Sequence, residues 1–150
     1  MADVLLDTSF LLPTLGYAVK EIEAKELESL RSASRSGTRL FCSHISFVEI
    51  FGKLAKSKSA VNKQAIEEGI RSLLESRTYG WVNPSAEALS TALSLRLKGH
   101  KDNIDNILYS IASTSNMRFL SLDSTLRIFL EKNGFDESVM ITPSDLTKMT

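Results

Sequence analysis

Along this chain, short apolar runs alternate with stretches of helical period from one end to the other, and few architectures accept that pattern. Asp3-Val-Leu-Leu-Asp7, Arg39-Leu-Phe-Cys42, Trp81-Val82, Arg118-Phe-Leu-Ser121 and Val139-Met-Ile141 are too short for helices and largely apolar on successive residues, as strands covered on both faces are. Between them, residues 18–35, 46–56, 61–76, 85–98, 102–115 and 124–133 place apolar side chains three or four apart, the spacing of one helix face. Val19, Ile22, Leu27 and Leu30 form such a face, as do Phe47, Ile50, Phe51 and Leu54, and Ile66, Ile70, Leu73 and Leu74. Pro13 suits the first turn of a short helix over Phe10–Leu15, Gly37, Gly99 and Gly134 mark helix ends, and Thr142-Pro143-Ser144-Asp145 reads as a capped start to a terminal helix. Strand and helix in alternation predict an α/β sandwich, with helices on both faces of a mostly parallel sheet.

With 150 residues and no repeat, linker or low-complexity tract, the chain reads as a single domain, residues 1–150. Cys42 is its only cysteine, which excludes an intrachain disulfide and a multi-cysteine zinc site and points to a reducing cytoplasm. No apolar run approaches the ~20 residues of a membrane span, and Asp3 and Asp7 near the start argue against a secretory signal. Phosphate-binding G-x-x-x-x-G-K-[ST] and G-x-G-x-x-G loops are absent, as is a G-x-S-x-G nucleophile elbow. The 18 basic and 18 acidic side chains cancel, so a globally basic nucleic-acid binder is not indicated. Their distribution is uneven: Arg31, Arg35, Arg39, Lys53, Lys56, Lys58 and Lys63 face Glu49 alone over residues 31–63. That is either a solvated face or the basic flank of a site.

The acids fall where an α/β sheet binds ligands, beyond the carboxyl ends of its strands. Asp7 and Asp123 follow apolar strands, and Glu49 and Asp105 lie in the opening turns of helices. Each also has a local explanation: Asp7 and Asp123 as helix caps, Ser46-Phe-Val-Glu49 as a capping box, and Asp102 and Asp105 as acids where a helix N-terminus favours negative charge. Capping does not account for the strands before Asp7 and Asp123, or for Asp105 beside a buried face. Converging carboxylates repel unless a cation lies between them, and an oxygen-only set selects hard ions such as Mg2+ or Mn2+. With Asp7, Glu49, Asp105 and Asp123 neutralised, 18 basic groups face 14 acidic ones, and the remainder favours an anionic polymer. His44 and His100 read as surface residues, and Cys42 as inert packing.

Taken together, Val4-Leu-Leu-Asp7-Thr-Ser-Phe-Leu-Leu12, Ser43-His-Ile-Ser-Phe-Val-Glu49-Ile, Asp102-Asn-Ile-Asp105-Asn-Ile-Leu-Tyr-Ser-Ile-Ala112 and Phe119-Leu-Ser-Leu-Asp123 resemble the four acidic motifs of PIN-domain nucleases, the family of the VapC-like toxin ribonucleases. Order, placement and the 18-residue step from Asp105 to Asp123 agree. The resemblance implies a three-layer sandwich with about five parallel strands, and metal-dependent cleavage of RNA phosphodiesters. It implies that Asp7, Glu49, Asp105 and Asp123 bind Mg2+ or Mn2+, with Asp102 an accessory acid on the same helix. Ser9 and Ser121 take the hydroxyl positions beside the first and last acids, and Asn106 stands where a small residue is usual. Arg31, Arg35, Arg39 and Lys53 would guide the RNA, and an antitoxin and a second copy of the chain are the expected protein partners. Two other readings stand beside it: a non-catalytic relative that binds RNA or a peptide, and an α/β phosphotransferase with Asp7 as nucleophile.

Overall fold

Five parallel strands form one sheet in the order β3-β2-β1-β4-β5. They are β1 Asp3–Leu6, β2 Arg39–Ser43, β3 Tyr79–Val82, β4 Arg118–Leu120 and β5 Met140–Ile141. The computed structural model describes residues 2–57 and 62–149, so Lys58 and the expected helix start at Val61 lie outside the described residues. The chain begins in the middle of the sheet, adds β2 and β3 on one side, then returns to add β4 and β5 on the other. The switch of direction falls between β1 and β4, where a crevice opens beyond the carboxyl ends of the strands.

Seven α-helices among the described residues cover the two faces: α1 Ala24–Arg35, α2 Ser46–Lys56, α3 Lys63–Glu75, α4 Ala86–Leu97, α5 Asn103–Thr114, α6 Ser124–Lys132 and α7 Pro143–Met149. Because side chains alternate along a strand, β1 feeds both cores. Val4 and Leu6 join Leu30, Ile50, Leu73 and Leu146 on one face, while Leu5 joins Ala88, Leu95, Leu108, Ile111 and Leu126 on the other. After Asp3, β1 is apolar, and its Val4, Leu5 and Leu6 are fully buried. The expected three-layer α/β sandwich is what the chain forms.

Several boundaries differ from the periodicity. The helix expected from residue 18 begins at Ala24, because Glu23 and Glu26 close a reciprocal capping box, with the Glu23 N–H donating to Glu26 Oε2 at 2.9 Å. Val19 and Ile22 still pack on the core, but from a turn closed by the Ile22 N–H on the Val19 carbonyl at 3.0 Å. Phe10–Leu15 forms part of two 3-10 turns, Thr8–Phe10 and Leu12–Leu15, rather than one helix. Val139 closes a third such turn, leaving β5 only Met140 and Ile141. Phe51 and Leu74, expected inward, are exposed. Gly99, after α4, has φ +115, a conformation that β-carbons oppose, and it turns the chain into the approach to α5.

Candidate metal centre at the carboxyl edge of the sheet

Asp7 is the first residue past β1 and stays buried. Its Oδ1 accepts the Thr8 N–H at 2.7 Å and its Oδ2 accepts the Ser121 hydroxyl at 2.8 Å. Ser121 in turn accepts the Asp123 N–H at 3.1 Å, so one hydroxyl ties the end of β1 to the end of β4 across the switch point. Asp123 caps α6 through the Leu126 N–H at 3.1 Å. Ser9, the other expected hydroxyl, sits half-buried in the first 3-10 turn and makes no side-chain hydrogen bond among the described residues.

Asp105 enters from α5, whose apolar face presses Leu108, Ile111 and Ala112 onto the sheet. Asp102 caps that helix, accepting the Asp105 N–H at 3.1 Å. Glu49 enters from α2, which packs against the turn after Asp7 and against α5. The capping box expected of Ser46 and Glu49 does not form. The cap position belongs to Ile45, the Ser46 hydroxyl is buried without a partner among the described residues, and Glu49 turns away to Lys53 at 3.3 Å.

Glu49, Asp102 and Asp105 each offer an oxygen within 4.8 Å of the others. Asp105 links this trio to the rest: it lies beside Asp123 and feels the charges of Asp7, Asp102 and Asp123. Burial foremost, then that company of acids, pushes its carboxyl far above the ordinary carboxylate range. Burial likewise raises Asp7 to about 6, opposed by the Ser121 hydrogen bond and reinforced by Glu49. Glu49 Oε2 is a buried acceptor with no hydrogen-bond partner among the described residues. Such an atom is costly unless something positive meets it. A set of carboxylate oxygens with one orphaned and two held toward neutrality fits a hard divalent cation.

The structure brings five acids to one crevice but does not bring the arginines there. Arg39 opens β2 at the opposite, amino edge, where it forms a fork on Asp3 at 2.7 and 2.8 Å. Arg31 and Arg35 lie toward the end of α1 that leads back to that same edge, and both pair with Glu28. Of the four basic residues singled out in the sequence, Lys53 alone borders the acids. Sequence reasoning passed over His100, which is half-buried rather than a surface residue. Its ring nitrogen Nδ1 lies 2.7 Å from Asn106 Oδ1. A buried carboxamide next to an acid was the available signal. Cys42 is buried, and burial lifts its thiol to about 12, as inert packing requires.

Comparison with known proteins bears on the family and the fold. The PIN domain family matches residues 4–129. No curated protein matches the chain. Among solved structures, the chain is similar to VapBC2 from Rickettsia felis bound to a DNA fragment from its promoter, with a TM-score of 0.66 at 14% identity over 93% of this chain and 98% of that one. It is also similar to VapBC-1 from nontypeable Haemophilus influenzae (0.59 at 14%, covering 95% and 98%) and to FitAcB from Neisseria gonorrhoeae (0.59 at 12%, covering 93% and 97%). At such identities these likenesses concern the fold. The family match spans β1 through most of α6, including all five acids of the crevice, and the chain belongs to the PIN domain family.

Proposed function

We propose that this protein is a metal-dependent endoribonuclease that hydrolyses RNA phosphodiester bonds with Mg2+ or Mn2+ held by Glu49, Asp102 and Asp105, alongside Asp7 and Asp123. The observation that carries this reading is Asp105. It is 7% exposed, lies among four other acids, and has no Lys or Arg paired with it among the described residues. A divalent ion bound there supplies Lewis acidity, activating water and steadying the charge on the departing oxygen. The chain itself fixes orientation. The Thr8 N–H and the Ser121 hydroxyl hold both Asp7 oxygens. Lys53, 39% exposed beside Glu49, brings a positive charge to the rim where an RNA phosphate would lie.

The same reading includes two protein partners. The VapBC names of several structural neighbours support an antitoxin that holds the activity in check. Leu89, Leu93 and Leu97, exposed at four-residue spacing along α4, support pairing with a second copy.

Purified protein with Mn2+ or Mg2+ is expected to cleave single-stranded RNA, and EDTA to stop it. Asp7→Asn should slow cleavage on the order of a hundredfold or more, as deletion of one charge-stabilising group usually does. Cleavage at the wild-type rate by Asp7→Asn would identify a contaminating nuclease and remove the assignment.

A further inference from the structure

Asn106 is 1% exposed and follows Asp105 directly. Its Nδ2 donates to the His100 carbonyl at 2.9 Å, while its Oδ1 lies 2.7 Å from His100 Nδ1. With the amide nitrogen committed to a carbonyl, Oδ1 is the acceptor, so His100 carries its proton on Nδ1. One carboxamide thus grips both the backbone and the ring of a residue two positions before Asp102. The segment between is short and bent. Gly99 takes φ +115, the His100 N–H returns to the Leu95 carbonyl at 3.1 Å, and the Asn106 N–H reaches the Asp102 carbonyl at 3.0 Å. The His100 ring rests 5.1 Å from the ring of Phe129 on α6. Asp102 itself is exposed, and its carboxylate's one hydrogen bond among the described residues is the cap to Asp105. Packing therefore does not place the Asp102 carboxylate; its cap bond to Asp105 and the turn that leads into it do.

We propose that Asn106 is a positioning residue for the acidic cluster: by clamping His100 it fixes the connection between α4 and α5, and so holds Asp102 within reach of Asp105 and Glu49. The proposal rests on the metal reading of that cluster. A small side chain at this position could not span to His100. The helix itself does not depend on the clamp, because Leu108, Tyr109, Ile111 and Ala112 anchor α5 in the core.

The test is calorimetric titration of Mn2+ into the intact protein, with folding checked by circular dichroism at the same temperature. Asn106→Ala is expected to stay folded and to bind Mn2+ about tenfold more weakly or worse, the usual effect of losing an outer partner of a metal ligand. Combined with Asp102→Asn, it should add little further loss, because both changes remove the same ligand. A merely structural residue would lower the melting temperature and leave the affinity of the folded protein alone, and that result overturns the proposal. Full additivity with Asp102→Asn overturns it too, since Asn106 would then act elsewhere. If Asn106→Ala does not fold, His100→Ala replaces it. That variant removes the ring contact and keeps the carbonyl bond, so a smaller loss of affinity is expected, and wild-type affinity overturns the proposal. Wild-type protein that binds no Mn2+ fails the metal reading itself, and the proposal falls with it; loss of RNA cleavage alone does not touch it.

Discussion

A carboxylate buried away from water, with other carboxylates near it, is more comfortable protonated, and Asp7 and Asp105 show this at the level of single side chains. Asp7 titrates near 6 in the folded protein against an ordinary 3.8. The folded state therefore binds the proton more tightly than the unfolded chain does. The resulting stability is fully present below 3.8 and is lost as the pH rises through about 6. Without metal, that loss amounts to about 3 kcal/mol. Asp7→Asn has no such proton to lose. Urea unfolding at about pH 4 and about pH 7 should show the difference between the two proteins changing by this order; the same difference at both values would mean that Asp7 carries no such shift. Asp105→Asn goes further. It removes the cost of burying an ionisable acid among other acids while keeping an acceptor, so metal-free Asp105→Asn should melt at or above the wild-type temperature. Added Mn2+ should raise the melting temperature of the wild type more than that of the variant. A clear fall in metal-free stability would make Asp105 a structural residue instead.

Elements explain why caps and ligands were hard to tell apart in the sequence. Asp102 and Asp123 are caps and candidate ligands at once: each bonds a backbone N–H at the start of its helix, and each lies in the crevice. The two roles separate by substitution. Asp123→Asn keeps a capping oxygen and should leave stability unchanged or improved, whereas Asp123→Ala loses the cap of α6 and about 1 kcal/mol with it. Equal effects of the two on the melting temperature would show that the cap contributes nothing. Glu49 is the opposite case. Its S-x-x-E spacing reads as a capping box, but the spacing says nothing about where the chain enters α2. Ile45 takes the cap position, which puts Ser46 inside the helix and frees Glu49 for the crevice. Helix starts that depend on long side chains were similarly illegible: Glu23 stops α1 at Ala24, although Val19 and Ile22 continue the apolar period.

At the scale of the molecule, the alternation of strands and helices was enough to give the architecture, since a parallel sheet buries successive residues and leaves that mark in the sequence. The basic window was misleading for a geometric reason. Residues close in sequence around a strand stand at its two ends, and Arg39 and Glu49 flank β2 at opposite edges of the sheet. Charge thus divides by edge rather than by segment. Lys53→Ala should weaken RNA binding by a catalytically silent Asp7→Asn protein and lower the salt slope by roughly one ion. Arg39→Ala, whose charge is spent on Asp3, should leave both unchanged. Filter binding across a salt series would measure the two, and an equal effect from Arg39 would place RNA on the amino edge instead.

The hydroxyl bond from Ser121 to Asp7 joins residues 114 positions apart. During synthesis the central strand is made first, yet the neighbour that completes its second edge arrives only with residues 118–120. Until then the nascent chain presents an open strand edge whose last three residues, Val4, Leu5 and Leu6, are apolar, a template for unwanted pairing, and the crevice has only one of its walls. Contacts of such separation are slow to close. The same long closure means that a chain still being made has no assembled acidic site, so a hydrolytic activity of the proposed kind would be absent until translation has passed Asp123.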